Sequence, residues 1–193
     1  ADLSPKSKYL EVPKEFMGVT QSSSPSSLSP YKEGVNIIAP LSNYIYHYSK
    51  GKFTTKYYLD FGSLNCDFLN ELHQYDGIKG SYFFHLRETG ATYFPSELFE
   101  FKNYLYFTFI SNDKKYSVIY DKNNKTPHVG LARPVDDLND AIFGRPVGST
   151  QGSIISVIEP VQILDKKGNE PGKLNHLKLM PEDNSILAKY SIR

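Results

Sequence analysis

Apolar and polar positions alternate with a period of two over much of this chain, and the alternation is clearest in two stretches of similar composition. In NYIYHYS, residues 43 to 49, it sends Tyr44, Tyr46 and Tyr48 to one face of a strand and Ile45 and His47 to the other. The turn residues KGK follow, then FTTKYYLDFG, a β-branched and aromatic strand stopped by Gly62, so the segment predicts a hairpin. About 60 residues later the plan returns: KNYLYFTFI, the turn SNDKK, the strand YSVIY and the turn DKNNK.

The remaining segments are shorter. KYLEVPKEFMGVT predicts two extended pieces broken at Pro13, and residues 21–30, QSSSPSSLSP, form an exposed Ser/Pro loop. GVNIIAPL is a strand ended by Pro40. Leu64, Phe68 and Leu72 have helix-like spacing, enough for one or two irregular turns. SYFFHLRETG and ATYFPSELFEF predict extended structure around a turn at Glu88 to Gly90. A Gly, Pro and Asp loop region follows from Gly130, then SIISVIEPVQIL as a strand pair or a strand leading into a helix. EPGKLNHLKLM predicts a short helix near the C-terminus, and the chain ends on a turn and a strand. Roughly nine to twelve strands with little helix predict an all-β fold: sandwich, barrel or propeller of four-stranded antiparallel blades.

Composition narrows this modestly. The length of 193 residues favours one domain, and 39% apolar with 22% charged residues describe a chain that folds. Fifteen Tyr and 12 Phe without Trp lean toward pleated, half-buried surfaces. A formal charge of +1, with cations scattered along the chain, supplies no field for phosphate backbones, so nucleic acid is not an expected partner. Cys66 stands alone, which excludes an intrachain disulfide framework. No apolar run reaches the roughly 18 residues of a membrane-spanning helix, and the start ADLSPKSKYL lacks an apolar signal core.

The residues of the repeat also carry a resemblance. NYIYHY with YYLDFG, FEFKNYLYFTF with KKYSVIYDKNN, VDDLNDAIFGRPVGSTQGSIISVIEPVQIL and LNHLKLMPEDNSILAKYSI resemble, in this order, the C-terminal part of six-bladed β-propeller proteins common in gut Bacteroidetes. The match runs over about residues 35 to 193, with Ser185 where that family usually carries Pro. The resemblance implies the last blades of a propeller, from a fragment or a shortened relative. It also implies an exported protein, periplasmic or anchored to the outer membrane as a lipoprotein, whose leader is absent from this chain.

Candidate chemistry is sparse. The five histidines make no His-Glu-x-x-His pair, and His47 and His85, read as strand residues, suit structural hydrogen bonding. There is no Gly-x-Ser-x-Gly elbow, and Ser149 and Ser153 in VGSTQGS read as turn chemistry. Cys66 reads as a small core residue. The densest polar constellation is Asp136, Asp137 and Asp140 with Arg133 and Arg145. Clustered carboxylates suit hard cations, so calcium is the one cofactor left open. Alternation assigns most aromatic rings to sheet packing, leaving Tyr93, Phe94 and Phe143, near Pro and Gly, to stack on a ligand.

The expectation is therefore a non-enzymatic binding or scaffold module. It would recognise a glycan, peptide or protein through loop residues Arg133, Asp136, Asp137, Asp140, Arg145, Tyr93 and Phe143. Open sheet edges would allow self-association. The alternative is a carbohydrate-active hydrolase or lyase using the loop carboxylates.

Overall fold

The computed structural model describes residues 10, 13–19, 27–39, 41–131, 143–150, 152–164 and 178–191. These form eleven strands in three sheets, with three short α-helices. The fold is mostly β, as the alternation predicts. The first sheet has the order β1 (Leu28–Tyr31), β2 (Gly34–Ile38), β3 (Tyr44–Ser49) and β4 (Lys52–Tyr58). The second has β5 (Tyr93–Phe101), β6 (Tyr104–Ser111), β7 (Lys114–Asp121) and β8 (Thr126–Leu131). The third runs β11 (Ile186–Ser191), β10 (Ser153–Ile158), β9 (Arg145–Ser149). Chain contacts divide into two units, residues 1–96 with 109–113, and residues 97–108 with 114–193.

Within the first unit, register explains the sequence pattern. Ile38 pairs with Ile45 and Asn36 with His47, while Ile37 pairs with Tyr46 and Val35 with Tyr48. One face of the sheet thus carries the aliphatic pair and a polar pair, and the other carries tyrosines. Asn36 is fully buried, and its Oδ1 accepts from His47 Nδ1 at 2.8 Å and from Lys56 Nζ at 3.3 Å. A Cβ on Gly34 would lie 2.3 Å from the Tyr48 carbonyl oxygen and 2.8 Å from the His47 ring, so only glycine allows this approach. The β3–β4 hairpin turns at Lys50 and Gly51, both with positive φ (48° and 77°), the conformation that matches strand twist.

The repeat is real at the level of the hairpin. Leu59 N donates to the Asn43 carbonyl at 2.7 Å, and Lys122 N donates to the Asn103 carbonyl at 2.7 Å, so the asparagine that opens each copy closes its hairpin. The copies nevertheless occupy different places. The first supplies the third and fourth strands of its sheet, the second supplies the second and third.

Several local expectations are corrected. SYFFHLRETG is helical: α2 covers Tyr82–Thr89, with Tyr82 and Leu86 fully buried four residues apart. Burial of one helical stripe overrides the strand preference of its aromatics. Gly90, at φ 74°, is its left-handed C-cap rather than a hairpin turn. His85 therefore sits on a helix, 3.8 Å from Glu71. Helix α1 (Phe68–Gln74) is regular and capped by Asp67, whose carboxylate accepts from Asn70 N at 3.2 Å. Lys14–Phe16 forms a 3-10 turn rather than a strand. Residues 28–30 of the expected Ser/Pro loop belong to a strand, with Ser29 fully buried, and residues 21–26 lie outside the described residues. Strand β10 leads into α3 (Pro160–Ile163). The helix expected over EPGKLNHLKLM falls almost wholly on 165–177, outside the described residues.

Each unit has its own core. In the first, Phe16, Cys66, Phe68, Leu72, Tyr82 and Leu86 pack together. In the second, Phe99, Phe101, Tyr106, Phe143 and Ile154 do so, beside the Glu100 to Lys122 ion pair at 2.9 Å.

Candidate functional site

The two copies of the tyrosine hairpin meet opposite fates. In β6 of the second copy, residues Leu105 to Phe109 are all buried, with Tyr106 at 0% exposure. In the first copy Tyr44 keeps 42% of its surface exposed and Tyr58, on the neighbouring strand, 53%. Burial of both faces encloses Tyr106, Phe107 and Phe109 of the second copy, whereas Tyr44, Tyr46 and Tyr58 of the first line a cleft.

That cleft lies within the first unit and encloses about 890 Å³. One wall is Ile37, Tyr44, Tyr46 and Tyr58, the tyrosine face of β2 to β4. The ring of Tyr44 lies 5.1 Å from that of Tyr58 and 6.2 Å from that of Tyr46, at interplanar angles of 44° and 42°. Successive outward positions on pleated strands produce such an array, because β3 sends every second residue the same way and Tyr44 pairs with Tyr58 across the ladder. The opposite wall is Asn65 to Leu69 at the start of α1, with Phe16 and Leu41.

The polar groups lining the cleft include the hydroxyls of Ser42, Tyr44, Tyr46 and Tyr58, which both donate and accept, and the side chains of Asn43, Asn65 and Asp67. Asn43 is 7% exposed; its Nδ2 donates to the Cys66 carbonyl at 3.4 Å, while its Oδ1 has no protein partner. Asp67 holds the helix cap with one oxygen. Asn65 is committed to structure: its Oδ1 accepts from Phe61 N at 2.9 Å and its Nδ2 donates to Asp60 at 2.7 Å. Asp60 also accepts from Gly62 N at 2.9 Å, and these bonds hold its carboxyl below the usual range. Cys66 is pushed up to about 12, chiefly by burial and then by Glu71, so the thiol in this wall is uncharged. No lysine, arginine or histidine is among the described lining residues.

Of the residues anticipated from sequence, Tyr93, Phe143 and Arg145 are among the described residues. Arg133, Asp136, Asp137 and Asp140, and with them the calcium expectation, lie outside the described residues. Tyr93 is 6% exposed in the first core, with its ring 5.5 Å from that of Phe94. Phe143 is 4% exposed in the second core, 4.6 Å from the Tyr190 ring. Arg145 begins β9 and is exposed. Ser153 is buried on β10 and shares a hydrogen bond with Ser191 at 2.8 Å. Among the described residues no group of three or more His, Cys, Asp or Glu could hold a metal ion. Asn43, Tyr58 and Asp67 were not singled out from sequence, since nothing local distinguishes a cleft wall from a core wall.

The described residues contain no helix long and apolar enough to cross a membrane. No curated protein matches the chain. A crystal structure of a "Putative exported protein" from Bacteroides fragilis is similar to it, with a TM-score of 0.67 and 19% identity, over 86% of this chain and 49% of that one. The chain thus spans about half the length of that neighbour, and the likeness concerns the fold. The family model described as a 6-bladed beta-propeller matches residues 2–155. With four-stranded antiparallel sheets as the repeating unit and most of its length covered by that model, the chain belongs to the six-bladed β-propeller family.

Proposed function

We propose that this chain is a non-enzymatic binding module of an exported bacterial β-propeller protein, and that it takes a glycan, peptide or protein segment into the tyrosine-walled cleft. The observation that carries the reading is the contrast between the copies: the same strand pattern is buried in one sheet and lines an open cavity in the other. Exposed tyrosines give broad contact area at small entropic cost and recur at recognition surfaces. A volume of about 890 Å³ lies within the range of ligand pockets. The name of the Bacteroides fragilis neighbour supports export.

Calorimetric titration against oligosaccharide and peptide panels tests this, with the wild-type chain and a Tyr44→Ala/Tyr58→Ala double variant. At least one class should bind, and the double variant should lose about tenfold or more in affinity while keeping its far-ultraviolet spectrum. Equal binding by both proteins, or none by either, would overturn the reading.

A further inference from the structure

We propose that the ligand group taken by this cleft is a cation that donates hydrogen bonds, the ammonium or guanidinium of a lysine or arginine side chain on an extended peptide. The inference rests on the cleft being the binding site. It adds the chemical class of what enters.

Charge is the first argument. Among the described lining residues Asp67 is the one carboxylate, and no lysine, arginine or histidine stands beside it. An anionic ligand would meet like charge and no partner; a cation meets its opposite. Ring geometry is the second. Three tyrosines at centroid spacings of 5.1 and 6.2 Å, tilted by 44° and 42°, do not share the single plane on which a sugar ring lies. They turn electron-rich faces in more than one direction, the arrangement that receives a cation. Hydrogen-bond inventory is the third. Asp67 commits Oδ1 to Asn70 N, which leaves its Oδ2 as an acceptor. An ammonium or guanidinium has donors only and complements that carboxylate.

The protein itself handles cations in this way elsewhere. Lys56 Nζ lies 3.8 Å from the centroid of the Tyr31 ring and 3.3 Å from Asn36 Oδ1, an ammonium held by an aromatic face and an amide oxygen together.

The test is a resonance titration of the 193-residue chain carrying isotope-labelled tyrosine, with blocked tripeptides Gly-Lys-Gly, Gly-Arg-Gly, Gly-Gln-Gly and Gly-Glu-Gly and with a neutral trisaccharide. The lysine and arginine peptides should shift Tyr44, Tyr46 and Tyr58, with affinity falling several-fold between about 20 and 200 mM salt. Asp67→Asn, which keeps a competent helix cap, should weaken them about threefold or more, and Tyr58→Leu likewise. Binding of the glutamine peptide or the trisaccharide as tightly as the lysine peptide, without salt dependence, would overturn the cationic assignment and leave the cleft as a site. Tyrosine shifts that follow protein concentration and no probe would mean that a second copy covers this face. Silence toward every probe would remove both readings.

Discussion

Tyr106 and Tyr44 lie in matching strands of the repeated hairpin, and replacing each by alanine should separate core from cleft. Tyr106 is 0% exposed, with ring centroids of Phe99 and Phe143 at 6.4 and 5.8 Å. Its truncation opens a cavity inside a packed core, and aromatic-to-alanine changes of that kind cost about 3–5 kcal/mol. Tyr44 keeps 42% of its surface in water. Full burial of a large side chain contributes about 1.5–3 kcal/mol, and roughly three-fifths of that gives about 1–2 kcal/mol. No closed cavity forms, because the cleft is open where the ring was. The two variants should therefore differ by about 2 kcal/mol, or about 1 M in urea midpoint at a typical slope. With no tryptophan in the chain, far-ultraviolet dichroism is the signal to follow. Equal midpoint shifts for both variants would refute the argument, because Tyr44 would then belong to a packed core and not to a cleft wall.

Gly90→Ala should cost about 1–2 kcal/mol in the same assay, since φ is 74° and a Cβ would approach Asn112 Oδ1 to 2.7 Å; an unchanged midpoint would contradict the C-cap assignment. Cys66, at 6% exposure and with its pKa pushed up to about 12, should resist iodoacetamide at about pH 8.5 in the native chain and react fully in urea, read by mass; rapid native labelling would contradict its burial. Asp60 is held below its ordinary 3.8 in the folded chain, first by the Gly62 amide and then by Asn65, so its stabilising effect is present above that value and lost as pH falls through the folded pKa. Asp60→Asn should therefore be the less stable protein at neutral pH and begin to converge on wild type only as pH falls below about 3.8, and parallel acid limbs would falsify the assignment.

The hairpins β3–β4 and β6–β7 were legible because two local signals agreed: period-two aromatics and turn residues that accept positive φ, such as Gly51, Asn112 and Asp113. Strand β8 was not legible. Every residue of Thr126–Leu131 is exposed, so its side chains carry no alternation, and its pairing with β7 is a backbone matter. Helix α2 was misread because YFFHL is rich in residues that favour strands, and only the burial of Tyr82 and Leu86 on one stripe settles the choice. The cleft was hidden for a related reason. Tyr46 and Tyr106 have nearly the same neighbours in sequence, and what separates their faces is what the rest of the chain packs against them. Both copies also close their hairpin on the main-chain carbonyl of the opening residue, Asn43 or Asn103, a pairing visible only in three dimensions.

The most direct test of the binding account is a crystal structure of the chain grown with the tightest-binding lysine or arginine peptide. The account predicts peptide density against the Tyr44 and Tyr58 rings, with the cationic group within hydrogen-bond distance, about 2.7–3.2 Å, of the Asp67 carboxylate. Peptide density on another surface, with this cleft holding only solvent, would contradict it.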